Sequence, residues 1–146
     1  AEIAPGIGFG LTQNRDHSTP ITNPHGFSIE WRRALPGQGV SAFTLSDKMV
    51  LIMRKGRIRI TMNEASDVAV DLEAWETDSV PTGVMRKIEV LDGEPAELLV
   101  VVSGDHRKRP EFSSKTIAAA KAAGLGLDAS GFVAKASLLP VYKRAG

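Results

Sequence analysis

The fold is decided between residues 49 and 62, where the chain reads MVLIMRKGRIRITM. The stretch from Met49 to Met53 is apolar on both faces of an extended chain, which is typical of a central strand. Arg54-Lys55-Gly56 then supplies a tight reversal. From Arg57 to Met62 apolar and polar residues alternate, so isoleucines occupy one face of the next strand and arginines the other. We therefore predict a β-hairpin that turns at Gly56.

Similar short strands are predicted on both sides of this hairpin. Phe27 to Leu35 alternates apolar and polar residues, the period of a half-buried strand, and Pro36-Gly37-Gln38-Gly39 ends it as a turn. Further turns are Val80-Pro81-Thr82-Gly83 and Asp92-Gly93-Glu94-Pro95, and the remaining strands are predicted at residues 40–45, 68–72, 85–91 and 96–103. A succession of short strands with turn signals about every ten residues predicts an all-β barrel or sandwich.

The flanking segments divide the chain into three parts. Residues 1–26, rich in glycine, proline, asparagine and threonine, form an N-terminal arm, and residues 27–104 form the barrel. Residues 105–146 begin as a charged linker and continue into a helix that Ser113 or Ser114 caps and Gly124 ends. We expect the tail to pack on the barrel or on another subunit, because it carries large side chains that are costly in water: Phe132, Val133, Leu138, Leu139, Val141 and Tyr142.

Composition narrows the class of protein further. With 146 residues, 42% apolar and 24% charged, the chain has the size and composition of one globular domain. A formal net charge of +1 and the lack of an apolar run of roughly 18 residues lead us to expect neither nucleic acid nor a membrane as partner. The absence of cysteine excludes disulfides and thiolate ligands, and it leads us to expect a cytoplasmic protein.

Over about Phe27 to Gly104 the pattern resembles the cupins, a family of small β-barrel proteins. Gly56 matches the glycine that closes the family's first motif, and Pro81-Thr82-Gly83 matches the Pro-x-Gly of its second motif. The turn Gly93-Glu94-Pro95-Ala96, before a Leu-Val-Val strand, fits the same framework. The resemblance implies an all-β, cupin-type β-barrel or jelly roll, here with an N-terminal arm and a C-terminal helix plus extended tail.

The resemblance also implies where a metal site would lie, because cupin motifs carry three histidines and a glutamate around a metal. Counting back from Gly56 places Met49 at the glutamate, Arg86 stands at the third histidine, and Trp75 replaces the glycine that opens the second motif. The first two histidines fall on Phe43 and Leu45, or on Ala42 and Thr44 in another spacing variant. Phenyl, leucine and guanidinium groups offer no lone pair to a first-row metal, so we expect no metal, no cofactor and no catalytic residue in this barrel.

The candidate ligand-binding residues are Arg86, Trp75 and Met49. An inward arginine is costly unless it is paired, so Arg86 either forms a structural ion pair with Glu30, Glu89 or another carboxylate, or holds an anionic ligand through its planar fork. Trp75, like Trp31, either anchors the core or an interface, or stacks against a ligand.

The other polar groups favour solvated surfaces. The histidines lie in the arm and the linker, which favours solvated or locally bonded imidazoles over catalytic ones: His17, His25 and His106. A basic ladder flanks the predicted hairpin turn, and it is either a solvated strand face or the complement of an acidic surface on another chain: Arg54, Lys55, Arg57 and Arg59.

Three functions agree with this pattern. The first is a metal-free, non-catalytic cupin that serves as a structural or regulatory subunit, or one half, of a larger cupin assembly, as the resemblance to ring-cleaving dioxygenases with a metal-free chain implies. Its partner is then a second copy, in a homodimer, or a metal-bearing cupin chain, in a hetero-oligomer. The alternatives are a metal-independent cupin isomerase or epimerase, for which Asp47 or Glu89 would act as acid or base, and a small anionic-ligand binding module anchored by Arg86.

Overall fold

The structure is a computed structural model that describes residues 2–8, 20–22, 24–63, 65, 68–106, 108, 110–127 and 133–135. Several residues of the sequence analysis lie outside these ranges: His17, Phe132, Leu138, Leu139, Val141 and Tyr142.

Two antiparallel five-stranded sheets dominate the fold, as the all-β, cupin-type jelly-roll prediction requires. Sheet I has the order β1-β2-β9-β4-β7, with β1 (Glu2–Ile7), β2 (Phe27–Ala34), β9 (Ala96–Ser103), β4 (Met49–Lys55) and β7 (Thr77–Val80). Sheet II has the order β10-β3-β8-β5-β6, with β10 (Glu111–Phe112), β3 (Gly39–Thr44), β8 (Arg86–Val90), β5 (Ile58–Met62) and β6 (Val68–Leu72). Outside these two sheets the structure describes a helix and a two-stranded antiparallel sheet: α1 (Ser114–Ala122), β11 (Leu125–Leu127) and β12 (Val133–Lys135).

One apolar core fills the space between the two sheets. Sheet I contributes inward residues of β4 and β9, of which Leu51 and Val100 are almost completely buried. Sheet II contributes Ile58 and Ile60 of β5, together with Phe43 of β3. Because each strand buries alternate residues, the sheets enclose a shared interior and direct the other half of their side chains outward.

The two strands and the turn predicted around Gly56 are confirmed, but the strands do not pair with each other, so the prediction of a β-hairpin is wrong. β4 and β5 lie in different sheets, so the turn at Gly56 connects the two layers. Gly56 has φ +76°, and a Cβ there would lie 2.7 Å from Ala96 Cα and 2.7 Å from the Pro95 carbonyl oxygen. Only glycine allows this close approach between the β4–β5 turn and the start of β9.

The flanking segments also form regular structure. β1 lies within the predicted arm and adds an edge strand to sheet I beside β2. The predicted helix begins after Ser113, whose hydroxyl accepts a hydrogen bond from the Thr116 backbone N–H at 3.2 Å, as an N-cap should. The sequence analysis did not predict β7 or β10, which are only four and two residues long.

Strand β2 buries its polar face and exposes its apolar one. Its inward residues are Ser28, Glu30, Arg32 and Ala34, whereas Phe27 and Trp31 are 36% and 43% exposed. The register with β9 sets these faces, because Glu30 pairs with the inward-facing Val100 and Trp31 with Leu99, which is only half-buried. The prediction of a half-buried strand is therefore confirmed, with charged residues on the buried side.

Candidate functional site

Arg86 is the largest fully buried side chain that the structure describes. It begins β8, where it pairs with Phe43 of β3 and Met62 of β5 in the middle of sheet II. Its Nε and Nη2 donate to the Val84 carbonyl oxygen at 3.1 and 2.9 Å, and Nη2 also donates to the Pro81 carbonyl oxygen at 3.1 Å. The guanidinium is therefore held by the backbone of the Pro81–Val84 turn.

Met49 and Phe43 complete the surroundings of this guanidinium. Nη1 of Arg86 lies 3.5 Å from Met49 Sδ, and its Cζ lies 5.5 Å from the centroid of the Phe43 ring. The contact with the ring is a cation–π interaction. Burial lowers the pKa of Arg86 from its usual range, because desolvation disfavours the charged form. The structure thus brings together two of the three candidate ligand residues, Arg86 and Met49.

The expected ion pair between Arg86 and Glu30 or Glu89 does not form. Glu30 Oε1 lies 2.7 Å from Arg32 Nη2, and Glu89 Oε1 lies 2.8 Å from Lys87 Nζ. Among the described residues no carboxylate pairs with Arg86, and backbone carbonyls take that place. The explanation is local, because a planar guanidinium reaches several carbonyls of one tight turn at once.

The positions that the resemblance assigns to metal ligands do not fit a metal. They hold Met49, Arg86 and Phe43 together with Leu45, all of them buried. A thioether, a guanidinium and two hydrocarbon groups supply neither imidazole nitrogen nor carboxylate oxygen. In the described part of the chain, histidine and acidic residues also form no group of three or more that could hold a metal ion.

A separate interior cavity of about 90 Å³ lies deeper between the sheets. The walls of the cavity are almost entirely apolar, and the charged residue among them is Arg32 of β2. Phe43 and Met49 also line the cavity, and they lie between it and Arg86. The side chain of Arg32 is 18% exposed and pairs with the almost fully buried Glu30. Sequence reasoning missed this pair, although the alternation of β2 already places Glu30 and Arg32 on one face.

Trp75 lies apart from Arg86 and Met49. It is 90% exposed in the loop between β6 and β7, so the prediction that it anchors the core is wrong, whereas a role at an interface is untested. Its φ is +72°, a conformation that favours glycine, and its backbone N–H donates to the Met53 carbonyl oxygen at 2.9 Å. By the resemblance, this position is that of the glycine that opens the second cupin motif. The backbone has the conformation typical of glycine, although the residue is tryptophan.

A second polar cluster lies where the chain leaves β9. His106 Nε2 lies 3.0 Å from Asp47 Oδ1, and Asp105 Oδ1 accepts the backbone N–H groups of His25 and Gly26 at 2.8 and 2.7 Å. Lys108 is fully buried, and its Nζ donates to the carbonyl oxygens of Gly104 and His106. Burial lowers the pKa of Lys108. These contacts join three chain segments, so they explain His106 as a structural residue without assigning it a reaction.

The basic ladder is a set of surface ion pairs. Arg54 pairs with Glu97, and Lys55 Nζ lies 3.4 Å from Glu94 Oε2. Arg59 Nε lies 2.8 Å from Asp71 Oδ1, and this hydrogen-bonded pair raises the pKa of Arg59 and lowers that of Asp71. Three members of the ladder, Arg54, Lys55 and Arg59, therefore have acidic partners on this chain. This supports the interpretation of the ladder as a solvated strand face.

Comparisons with solved structures identify the fold. The cupin 2 domain-containing protein of Halorhodospira halophila aligns with a TM-score of 0.56 at 16% identity, covering 67% of this chain and 66% of that protein. The cupin domain of Schizosaccharomyces pombe Cnp3 gives 0.51 at 17% identity, covering 57% and 56%. Oxalate decarboxylase of Bacillus subtilis gives 0.51 at 22% identity, covering 62% of this chain and 22% of that enzyme. No family model and no curated protein matches the sequence.

The chain therefore has the cupin fold. It spans about a fifth of the oxalate decarboxylase and just over half of the Cnp3 domain, so those proteins' activities are properties of longer chains. The single helix in the described residues is too short and too polar to cross a membrane.

Proposed function

We propose that this chain is a metal-free, non-catalytic cupin that serves as a structural or regulatory subunit, or one half, of a larger cupin assembly, of which a ring-cleaving dioxygenase is one example. The observation that carries the proposal is the buried guanidinium of Arg86. It stands where the family resemblance implies a metal ligand, and its donors are engaged by the carbonyls of Val84 and Pro81.

A fixed positive charge in this place acts against metal binding. A divalent cation and a guanidinium separated by roughly 5 Å repel by on the order of 6–7 kcal/mol at an effective dielectric constant of about 20. No described carboxylate lies against Arg86 to offset this repulsion, and the neighbouring groups are the thioether of Met49 and the ring of Phe43. The side chains around Arg86 therefore support the proposal that this part of the barrel is a packed core rather than a metal-dependent active site.

Metal analysis tests the proposal. The full chain is incubated with Mn²⁺, Fe²⁺ or Zn²⁺, dialysed, and measured by plasma mass spectrometry. We expect far less than one ion per chain, both for the natural sequence and for Arg86→Met, in which the charge is gone but no donor is gained. One retained ion per chain, or turnover of a substrate by the isolated chain, would contradict the proposal.

The interior cavity favours a second candidate function, the binding of a small anion. The cavity combines apolar walls with the guanidinium of Arg32, which is already paired with Glu30, so a ligand with a short apolar body and one carboxylate would share this guanidinium with Glu30. The anchor in this version is Arg32 rather than Arg86, because Arg32 lines the cavity and Arg86 does not.

Acetate is a suitable probe for this candidate. We expect it to shift backbone amide resonances of β2 and β9, and to do so much less in Arg32→Met. Arg33→Met is the matched control, since Arg33 lies on the same strand but is outward-facing and paired with Glu2 and Glu97. Equal shifts in both variants would exclude the cavity as the binding site.

A further inference from the structure

A groove of about 440 Å³ opens at the surface of sheet I, beside the edge strand β1. A volume of this size is typical of a small-ligand site. The outward-facing residues that line the groove come from four neighbouring strands: Glu2 and Ala4 of β1, Trp31 and Arg33 of β2, Glu97 of β9 and Arg54 of β4. The groove is on the outside of the barrel, whereas Arg86 lies in its interior.

Trp31 supplies an open aromatic surface in this groove. It is 43% exposed, and in the described part of the chain no aromatic ring or cation stacks on its indole. Its neighbour on β1 is Ala4, whose small side chain leaves the indole accessible from the edge of the sheet. An exposed indole can cover the apolar face of a ligand ring, because aromatic side chains bury a large area in a defined geometry.

Beside the indole lies a row of charged side chains whose signs alternate across the sheet. Arg33 pairs with Glu2 through Nη1 at 3.1 Å and with Glu97 Oε1 through Nε at 3.3 Å. Arg54 donates to the other oxygen of Glu97. We call Glu2, Arg33, Glu97 and Arg54 the charged row. Two arginines and two glutamates leave this row without net charge.

The charged row keeps hydrogen-bonding capacity for a ligand. Nη2 of Arg33 and Nη2 of Arg54 donate to no residue that the structure describes, and both side chains are more than half exposed. A guanidinium has five N–H donors and a carboxylate about four lone pairs, so the row offers both donors and acceptors beside the indole. A hydroxyl group both donates and accepts, so a ligand with neighbouring hydroxyls matches such a row.

We infer that this groove binds a neutral saccharide, whose ring stacks on Trp31 while its hydroxyl groups form hydrogen bonds with the charged row. A pyranose ring combines an apolar C–H face with a rim of hydroxyls, and the groove presents the complement of both. An anion in the groove would face Glu2 and Glu97, and a cation would face Arg33 and Arg54. A row without net charge therefore favours an uncharged ligand.

Nitrogen-15 NMR of the full chain tests the inference, because the sequence contains two tryptophans and therefore gives two indole N–H signals. The probes are the neutral disaccharides cellobiose and maltose. We expect at least one of them to shift the Trp31 signal with a Kd in the millimolar range. The Trp75 signal should stay in place, because Trp75 does not line the groove. The variant Trp75→Ala assigns the two signals.

Two substitutions separate the indole from the charged row. Trp31→Ala should weaken disaccharide binding by about tenfold or more, followed through the backbone amides of β1 and β9, because the stacking surface is gone. Trp75→Ala is the matched control and should bind like the natural chain. Glu97→Gln keeps the size of the side chain but gives the charged row a net positive charge, so glucuronate should gain about threefold or more over glucose. Circular dichroism checks that each variant is folded.

Three results would overturn the inference. The first is that neither disaccharide shifts the Trp31 signal at roughly 50 mM, well above a millimolar Kd. The second is equal disaccharide binding by Trp31→Ala and the natural chain. The third is that the natural chain binds glucuronate or protonated glucosamine more tightly than glucose. None of these results bears on the metal analysis of the proposed function, and a retained metal ion would in turn leave the saccharide site standing.

Discussion

At the scale of single residues, Arg86 shows how a cation can be buried when none of the described carboxylates pairs with it. Its donors meet the Val84 and Pro81 carbonyl oxygens, one terminal nitrogen meets Met49 Sδ, and the ring of Phe43 lies beside the charge. Burial nevertheless lowers its pKa, which means that the environment penalises the charged form. The side chain therefore stabilises the fold mainly by filling the interior.

Two substitutions at Arg86 separate packing from charge. Arg86→Ala should lower the free energy of unfolding by about 3 kcal/mol or more, because it leaves a cavity. Arg86→Met should lose less than about 1.5 kcal/mol, because it refills most of that volume and removes the desolvated charge. Urea unfolding measures both. Equal losses in the two variants would show that hydrogen bonds to the turn, rather than packing, make Arg86 necessary.

The glycines provide a second prediction at this scale. Gly56 and Gly83 have nearly the same φ, +76° and +74°, so alanine at either position costs about 1–2 kcal/mol for the left-handed conformation. Only at Gly56 would the added Cβ also meet backbone atoms, those of Ala96 and Pro95. Gly56→Ala should therefore destabilise the protein at least twice as much as Gly83→Ala. Thermal denaturation compares the two, and equal losses would mean that the contact with β9 yields easily.

At the scale of elements, β2 carries an ion pair inside the sandwich. Glu30→Leu should lower the free energy of unfolding by about 3 kcal/mol, because it removes one member of a largely buried ion pair and with it a charge-assisted hydrogen bond to Arg32. The double variant Glu30→Leu/Arg32→Met should recover at least half of that loss, since both charges are then removed. Chemical denaturation of the two variants measures the recovery, and a double variant no more stable than the single one would contradict the argument.

Strand β2 also shows what could be predicted from the sequence and what could not. Its alternation gave the correct strand, and the turn residues gave the boundaries of most others, because both are local properties. Which face of β2 lies inside depends on its register with β9, a contact between segments about 70 residues apart. The carbonyl partners of Arg86 were not predicted for a related reason, since carbonyl oxygens are present at every residue and leave no signature in the side-chain sequence.

Strands β5 and β6 carry a prediction about pH. The hydrogen bond from Arg59 lowers the pKa of Asp71, so the stabilisation from this pair is complete above the ordinary pKa of 3.8 and is lost as the pH falls through the lowered value. Asp71→Asn should therefore show a weaker fall in stability below pH 4 than the natural chain. The difference should shrink in 1 M salt, because both groups are on the surface. Identical acid profiles would show that the pair does not stabilise the fold.

At the scale of the whole molecule, stability is expected to concentrate where strands are paired on both sides and face the core. β9 pairs with β2 along its whole length and with β4 from Glu97 to Val102, and it buries every second residue. By contrast, within the described residues β1 pairs with β2 on one side and has a single bridge, from Ile7 to Ile21, besides, and β11 and β12 pair with each other. Local opening costs less free energy where fewer contacts must be broken.

Native-state hydrogen exchange should reveal this gradient. Amides of β9 and β4 should exchange only through global unfolding, with an opening free energy equal to that from denaturant titration and an equally steep dependence on urea. Amides of β1 should exchange through local opening that is almost independent of urea, because release of an edge strand exposes little core. If β1 were as protected as β9, the N-terminal strand would be an integral part of the cooperative sandwich rather than a peripheral addition to it.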